Sequence, residues 1–152
     1  MKRLLFSLAL SLIAMVSMAQ AKYVFYFIGD GMGANQVLAA EMYQAALQGQ
    51  INRVPLLMSQ FPYSGQAATF SASYGITDSA AAGTCLASGK KTNNGMIGQT
   101  PDGEPAYSVA SKLHDEGWAV GIMSSVPVDH ATPASQYAHA EKRYQYYKIG
   151  TQ

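Results

Sequence analysis

Residues 22–33, Lys22-Tyr23-Val24-Phe25-Tyr26-Phe27-Ile28-Gly29-Asp30-Gly31-Met32-Gly33, decide how this chain is read. After its lysine, the run to Ile28 is apolar, aromatic and β-branched. It does not alternate with polar residues, which is the pattern of a strand covered on both faces. Gly29 to Gly33 break it. Ala34 to Leu47 then place Val37, Leu38, Met42, Ala45 and Ala46 at helical spacing, and Gly49 stops the helix. Strand, glycine-rich turn and helix open an α/β sheet.

Further along, the same alternation continues. Tyr63 to Ser73 carries Ser, Thr, Ala and aromatics and reads as a third strand at most. Thr77-Asp78-Ser79 before three alanines reads as a cap and helix start, with Gly89 as its end. Lys90 to Glu104 is a polar, glycine-bearing loop. Pro105 is expected to open a third helix with Val109, Ala110 and Leu113, closed by Gly117. Trp118 to Met123 (WAVGIM) reads as a second buried strand. The sheet so read is mostly parallel, and it is short of strands.

Before residue 22 stands an address. Met1-Lys2-Arg3 is a basic start, Leu4 to Val16 is apolar, and Ala19-Gln20-Ala21 supplies small residues. That is the order of a secretory signal peptide, removed after Ala19 or Ala21. The apolar run is too short for a membrane span. The expected location is exported, periplasmic or extracellular, with no stable membrane anchor.

The 152 residues contain 49% hydrophobic and 12% charged residues, with Lys+Arg 10 against Asp+Glu 9. This balance excludes a disordered charged tail and a strongly basic nucleic-acid binder, so no nucleic acid is expected as a specific partner. The single cysteine, Cys85, excludes an intrachain disulfide framework and reads as a small core residue.

Several residues could carry chemistry. Asp30 ends the first strand, where open α/β sheets bind ligands, and its carboxylate could meet a hard cation. On spacing alone these residues read first as an ordinary strand–helix turn with Asp as a cap. Ser79 stands at a helix start, where unpaired N–H groups favour an anion. It is either a nucleophile for a phosphate ester or a plain polar residue of the first turn. Asp129-His130-Ala131-Thr132-Pro133 follows the second strand toward the same sheet edge. There Thr132 is a metal ligand, an N-cap ahead of Pro133, or both. Arg143 could take a phosphate bidentately or lie solvated. His114 and His139 read as structural or surface residues without partners.

Phe27-Ile28-Gly29-Asp30-Gly31-Met32-Gly33, Thr77-Asp78-Ser79-Ala80-Ala81-Ala82-Gly83-Thr84, Lys91-Thr92-Asn93-Asn94-Gly95, and His130-Ala131-Thr132-Pro133 with Ala138-His139 together resemble alkaline phosphatase. The four motifs occur in that family's order, and they span nearly all of the chain after the leader. With the signal peptide read over 1–21, the resemblance implies the N-terminal portion of an alkaline phosphatase catalytic domain over 22–152. The implied fold is an α/β, alkaline-phosphatase-like sheet with helices on both faces, incomplete in this chain.

The resemblance also implies roles. Asp30 matches a residue bridging one zinc and the magnesium, and Ser79 matches the zinc-bound serine that becomes phosphoserine, with Asp78 buttressing it. Thr132 matches a ligand of the magnesium site, and Arg143 the clamp on phosphate. His130 holds a position that is Asp in some members and His in others, and its softer imidazole bears on the choice of third metal. The implied cofactors are two Zn2+ and one Mg2+, the substrates phosphate monoesters, and the full-length homologue a homodimer. In this family most zinc ligands come from the second half of a much longer chain, and after Arg143 this sequence holds no His, Asp or Glu. It therefore reads as a truncated phosphomonoesterase, inactive alone. Two other readings remain. One is a phosphodiesterase or sulfatase of the same superfamily, against which Ser79 and Arg143 argue. The other is an exported, non-catalytic fragment that binds metal or phosphate.

Overall fold

The computed structural model describes residues 21–152. The leader read in residues 1–21 therefore lies, Ala21 apart, outside the described residues. Helix α1 spans Ala34–Leu47. Its start is closed by Gly33, whose N–H donates to Gln36 Oε1 at 3.1 Å, a side chain of the first turn reaching back to the cap. Gly49 follows its end with φ +68°, a conformation that costs glycine nothing.

Helix α2, Ser79–Ser88, has the ends its sequence announces. Asp78 caps it by accepting from the Ala81 N–H at 2.9 Å. Gly89 closes it in the left-handed conformation at φ +74°, donating to the Cys85 carbonyl at 2.8 Å. Cys85 itself is half-buried rather than a core residue.

Helix α3 runs Val109–Asp115 and starts later than Pro105. The Ser108 hydroxyl caps it, accepting from the Ser111 N–H at 2.9 Å. Pro105 instead pairs with Gln99 in an isolated antiparallel bridge. The Thr100 N–H donates to the Glu104 carbonyl and the Ala106 N–H to the Gly98 carbonyl, both at 2.8 Å, and these bonds hold Pro105 opposite Gln99 across the turn at 101–103. Helix α4 is one turn, Ala131–Ala134, and its N-cap is His130. Thr132 is thus inside the turn and not its cap, and its hydroxyl is free to bond elsewhere. Helix α5 is Tyr146–Gly150.

No ladder of paired strands forms among the described residues; the antiparallel bridges Ile97–Ala140 and Gln99–Pro105 are isolated. Lys22–Ile28, Tyr63–Ser73 and Trp118–Met123, expected as strands, run without regular structure. Most of their large side chains stand in solvent: Phe27 is 87% exposed and Met123 96%, while Ile28, Trp118 and Ile122 are half-buried. A strand is held by hydrogen bonds from a neighbour, and an apolar run with no neighbour cannot satisfy that need alone.

The core lies beside these segments. Ala80, Ile97, Ala131, Ala134, Ala138, Ala140 and Ile149 form one buried cluster, with Tyr137 against it. It joins α2, α4 and α5 through the Ile97–Ala140 bridge. Small residues let the backbones approach closely. A Cβ at Gly83 of α2 would stand 2.7 Å from Ser135 Oγ and 3.7 Å from the Thr132 Cα. No described helix is long and apolar enough to cross a membrane.

Candidate active site

Two pairings of residues distant in sequence define the site. In the first, the Thr132 hydroxyl donates to Asp30 Oδ2 at 2.7 Å. The glycine-rich turn after Ile28 carries this carboxylate, and Asp30 is exposed. The second centres on Asp78. Its Oδ1 accepts from the Ala81 N–H, and its Oδ2 accepts from the Gly95 N–H and from Arg143 Nη1, both at 3.0 Å. Asp78 and Arg143 are both partly shielded, with side chains 24% and 29% exposed. A charge-assisted bond in that setting is stronger than one in open solvent.

Ser79 stands beside the second pairing. It is the first residue of α2, next to Asp78, and half-buried. Ser79 and Gly83 are four residues apart and so share a helix face. Gly83 is where α2 meets the backbone of Thr132. The Ser79 hydroxyl makes no hydrogen bond among the described residues.

The remaining histidines separate. His130 is half-buried, with its ring stacked on Tyr146, centroids 6.2 Å apart. His139, read as lacking partners, has them: its Nδ1 bonds the Gly98 carbonyl, and its ring meets Tyr107 edge-on at 5.3 Å. His114 is exposed on α3.

Sequence reasoning missed how much of the site rests on Asn94-Gly95. Asn94 Oδ1 accepts from the Asp78 N–H at 3.2 Å, and its Nδ2 donates to the Ile76 carbonyl at 3.0 Å. Gly95 has φ +87°, which aims its N–H at Asp78. An Asn-Gly pair inside a polar loop is a turn signal, and that signal could have marked the position.

The donors fit a hard cation better than a zinc pair. Asp30 and Thr132 offer adjacent oxygens, the ligand type that magnesium takes. A catalytic zinc takes about three protein ligands. Among the described residues no three His, Cys, Asp or Glu side chains gather, so a zinc pair does not fit the residues of this chain alone.

The profile of the alkaline phosphatase family matches residues 21–151, and the chain belongs to that family. It is 37% identical to the tissue-nonspecific alkaline phosphatase of Gallus gallus over 134 residues, covering 81% of this chain and 26% of that protein. It is 34% identical to the human tissue-nonspecific isozyme over 138 residues, again 81% of this chain and 26% of that protein. The chain thus spans about a quarter of the length of these curated relatives.

Solved structures agree. The cold-active alkaline phosphatase of Shewanella sp. superposes with a TM-score of 0.73 at 31% identity, over 80% of this chain and 31% of that one. The Thermus thermophilus enzyme gives 0.73 at 30% identity, over 82% and 26%. The backbone is therefore alkaline-phosphatase-like although its sheet is not paired here. A TAB5 alkaline phosphatase variant with a histidine changed to aspartate, similar at TM-score 0.52 and 28% identity over 60% of this chain and 30% of that one, has Mg bound in its M3 site.

Proposed function

We propose that this chain is the part of an exported phosphomonoesterase that carries the nucleophile and the anion clamp. The single observation that supports it most is the ion pair of Arg143 with Asp78, the residue beside Ser79. A cation held at the first turn of α2 is placed to receive the charge of a phosphate at Ser79. Ser79 Oγ forms a bond to phosphorus as the bond from phosphorus to the ester oxygen breaks, and the serine proton ends on the departing alcohol. Water then breaks the Ser79–phosphate bond, releasing inorganic phosphate and restoring the hydroxyl. Arg143 holds non-bridging oxygens through both steps. Asp30 and Thr132 would hold a magnesium ion, which supplies a fixed positive charge beside the reacting phosphate.

Two zinc ions complete the family's chemistry, and their donors are not gathered among the described residues. Taken by itself, the 152-residue chain is expected to bind phosphate without turning ester over. The test is hydrolysis of p-nitrophenyl phosphate at alkaline pH with added zinc and magnesium. Robust turnover that a Ser79→Ala control lacks would overturn this part of the proposal. Export is tested by N-terminal sequencing of secreted protein, where an intact Met1 would count against the leader.

A further inference from the structure

We infer that Asn94, with Gly95, is a positioning residue for the phosphate clamp. The inference rests on the reading of Ser79 and Arg143 given above and adds a residue with no assigned role. Asn94 touches none of the reacting atoms in that scheme. It grips the residue to which Arg143 is bound.

Asp78 has two tasks that pull on one side chain. Oδ1 must cap α2 through Ala81, and Oδ2 must face Arg143. A carboxylate on a free backbone could rotate and serve one task at the cost of the other. Three contacts from residues 94 and 95 prevent this. The Asn94 side-chain oxygen fixes the Asp78 backbone N–H. The Asn94 amide group fixes the Ile76 carbonyl, two residues upstream. The Gly95 N–H, turned inward by its positive φ, binds the same Oδ2 that Arg143 binds. The loop is itself anchored from the other side: the Asn94 N–H donates to Ser73 Oγ at 3.0 Å, and the buried Thr92 accepts the Ala72 N–H on its carbonyl at 2.8 Å.

A carboxylate oxygen shared between a backbone donor and a guanidinium sets the angle at which that guanidinium is held. Arg143 has a planar fork, so a tilt at Asp78 is a tilt of the surface it presents to phosphate. Asn94 therefore acts on phosphate affinity through Arg143, and its contribution is expected to vanish when Arg143 is removed.

The experiment is a double-mutant cycle in the whole, metal-loaded protein, read by the dissociation constant of inorganic phosphate from calorimetry and by KM and kcat for p-nitrophenyl phosphate. Asn94→Ala is expected to raise the phosphate Kd and KM about five-fold, the scale of coupling within one hydrogen-bond network, and to change kcat less. In an Arg143→Ala background the same substitution is expected to leave the phosphate Kd unchanged. Asn94→Ser, which keeps one short hydroxyl, is expected to give a smaller rise, and it carries the same cycle if the alanine variant does not fold. Equal effects of Asn94→Ala with and without Arg143, or no effect on phosphate Kd in either, would overturn the inference. Failure of the underlying reading looks different: Arg143→Ala alone would then leave phosphate binding unchanged, and Ser79→Ala would leave turnover intact.

Discussion

The Thr132 hydroxyl donates to Asp30 Oδ2 at 2.7 Å across 102 positions of sequence. One side chain comes from the turn after the first apolar run, the other from a single helical turn near the far end. A hydroxyl that orients a carboxylate fixes which lone pairs face an incoming ion. Thr132→Val keeps the shape and removes the bond. Magnesium affinity, followed by calorimetric titration of the whole protein, is expected to fall about ten-fold. An unchanged affinity would show that Thr132 neither holds the ion nor orients Asp30.

Ser79 and Arg143 are expected to fail in different ways. Ser79→Ala should nearly abolish phosphomonoesterase turnover of the whole protein while phosphate still binds. Arg143→Ala should weaken phosphate binding by about 2–3 kcal/mol, the scale of a charge-assisted bidentate contact. Steady-state kinetics with phosphate inhibition separates the two. Equal, near-zero effects would sink the role assignment.

Gly83 is where α2 and the turn of Thr132 and Ser135 touch. An added methyl meets Ser135 Oγ at 2.7 Å and its Cβ at 3.1 Å. Gly83→Ala is expected to lower stability by about 1–3 kcal/mol, the usual cost of overpacking. Ser135→Ala in the same chain removes the nearer atom and should restore part of it. Thermal unfolding of the single and double variants measures both.

Glu41 predicts an acid limit. It is buried on α1, where its carboxylate accepts the Ser59 hydroxyl at 2.6 Å, the Leu56 N–H at 3.1 Å and Arg53 Nη1 at 3.0 Å. The Ser59 bond first, then the Leu56 N–H and the Arg53 charge, hold its pKa below the usual 4.5, against the opposing effect of burial. A lowered pKa contributes stability that is present above about pH 4.5 and is lost as pH falls through the folded value. Glu41→Gln should flatten the fall of Tm between about pH 5 and pH 3, the range in which carboxylates titrate. A parallel fall in both proteins would refute it.

Local chemistry was legible in the sequence, and pairing was not. Asp78 and Gly89 bound α2 because a cap acceptor and a left-handed glycine act within one turn of themselves. Pro105 misled for the same reason: its fixed φ suits a helix start, but the bonds of Thr100 and Ala106 across the loop outweigh a preference of that size. Lys22–Ile28 and Trp118–Met123 have strand composition, yet strand formation depends on residues elsewhere. The bond of Arg143 to Asp78 joins two side chains 65 positions apart, and no spacing rule reports it. Asn94 was in view only as part of a motif, because it lies in a stretch that composition marks as loop and its three bonds go to residues 16 to 21 positions away.

Asp30 is attached to Lys22–Ile28, one of the apolar runs that find no paired strand among the described residues. Part of the affinity for an ion at Asp30 goes into restricting whatever freedom Lys22–Ile28 retains. A strand laid alongside that run would do the ordering in advance. By reciprocity, whatever pairs with Lys22–Ile28 tightens the grip of Asp30 on a cation, and the cation strengthens the pairing by the same factor. Completion of the sheet and loading of the metal are then two readouts of one equilibrium.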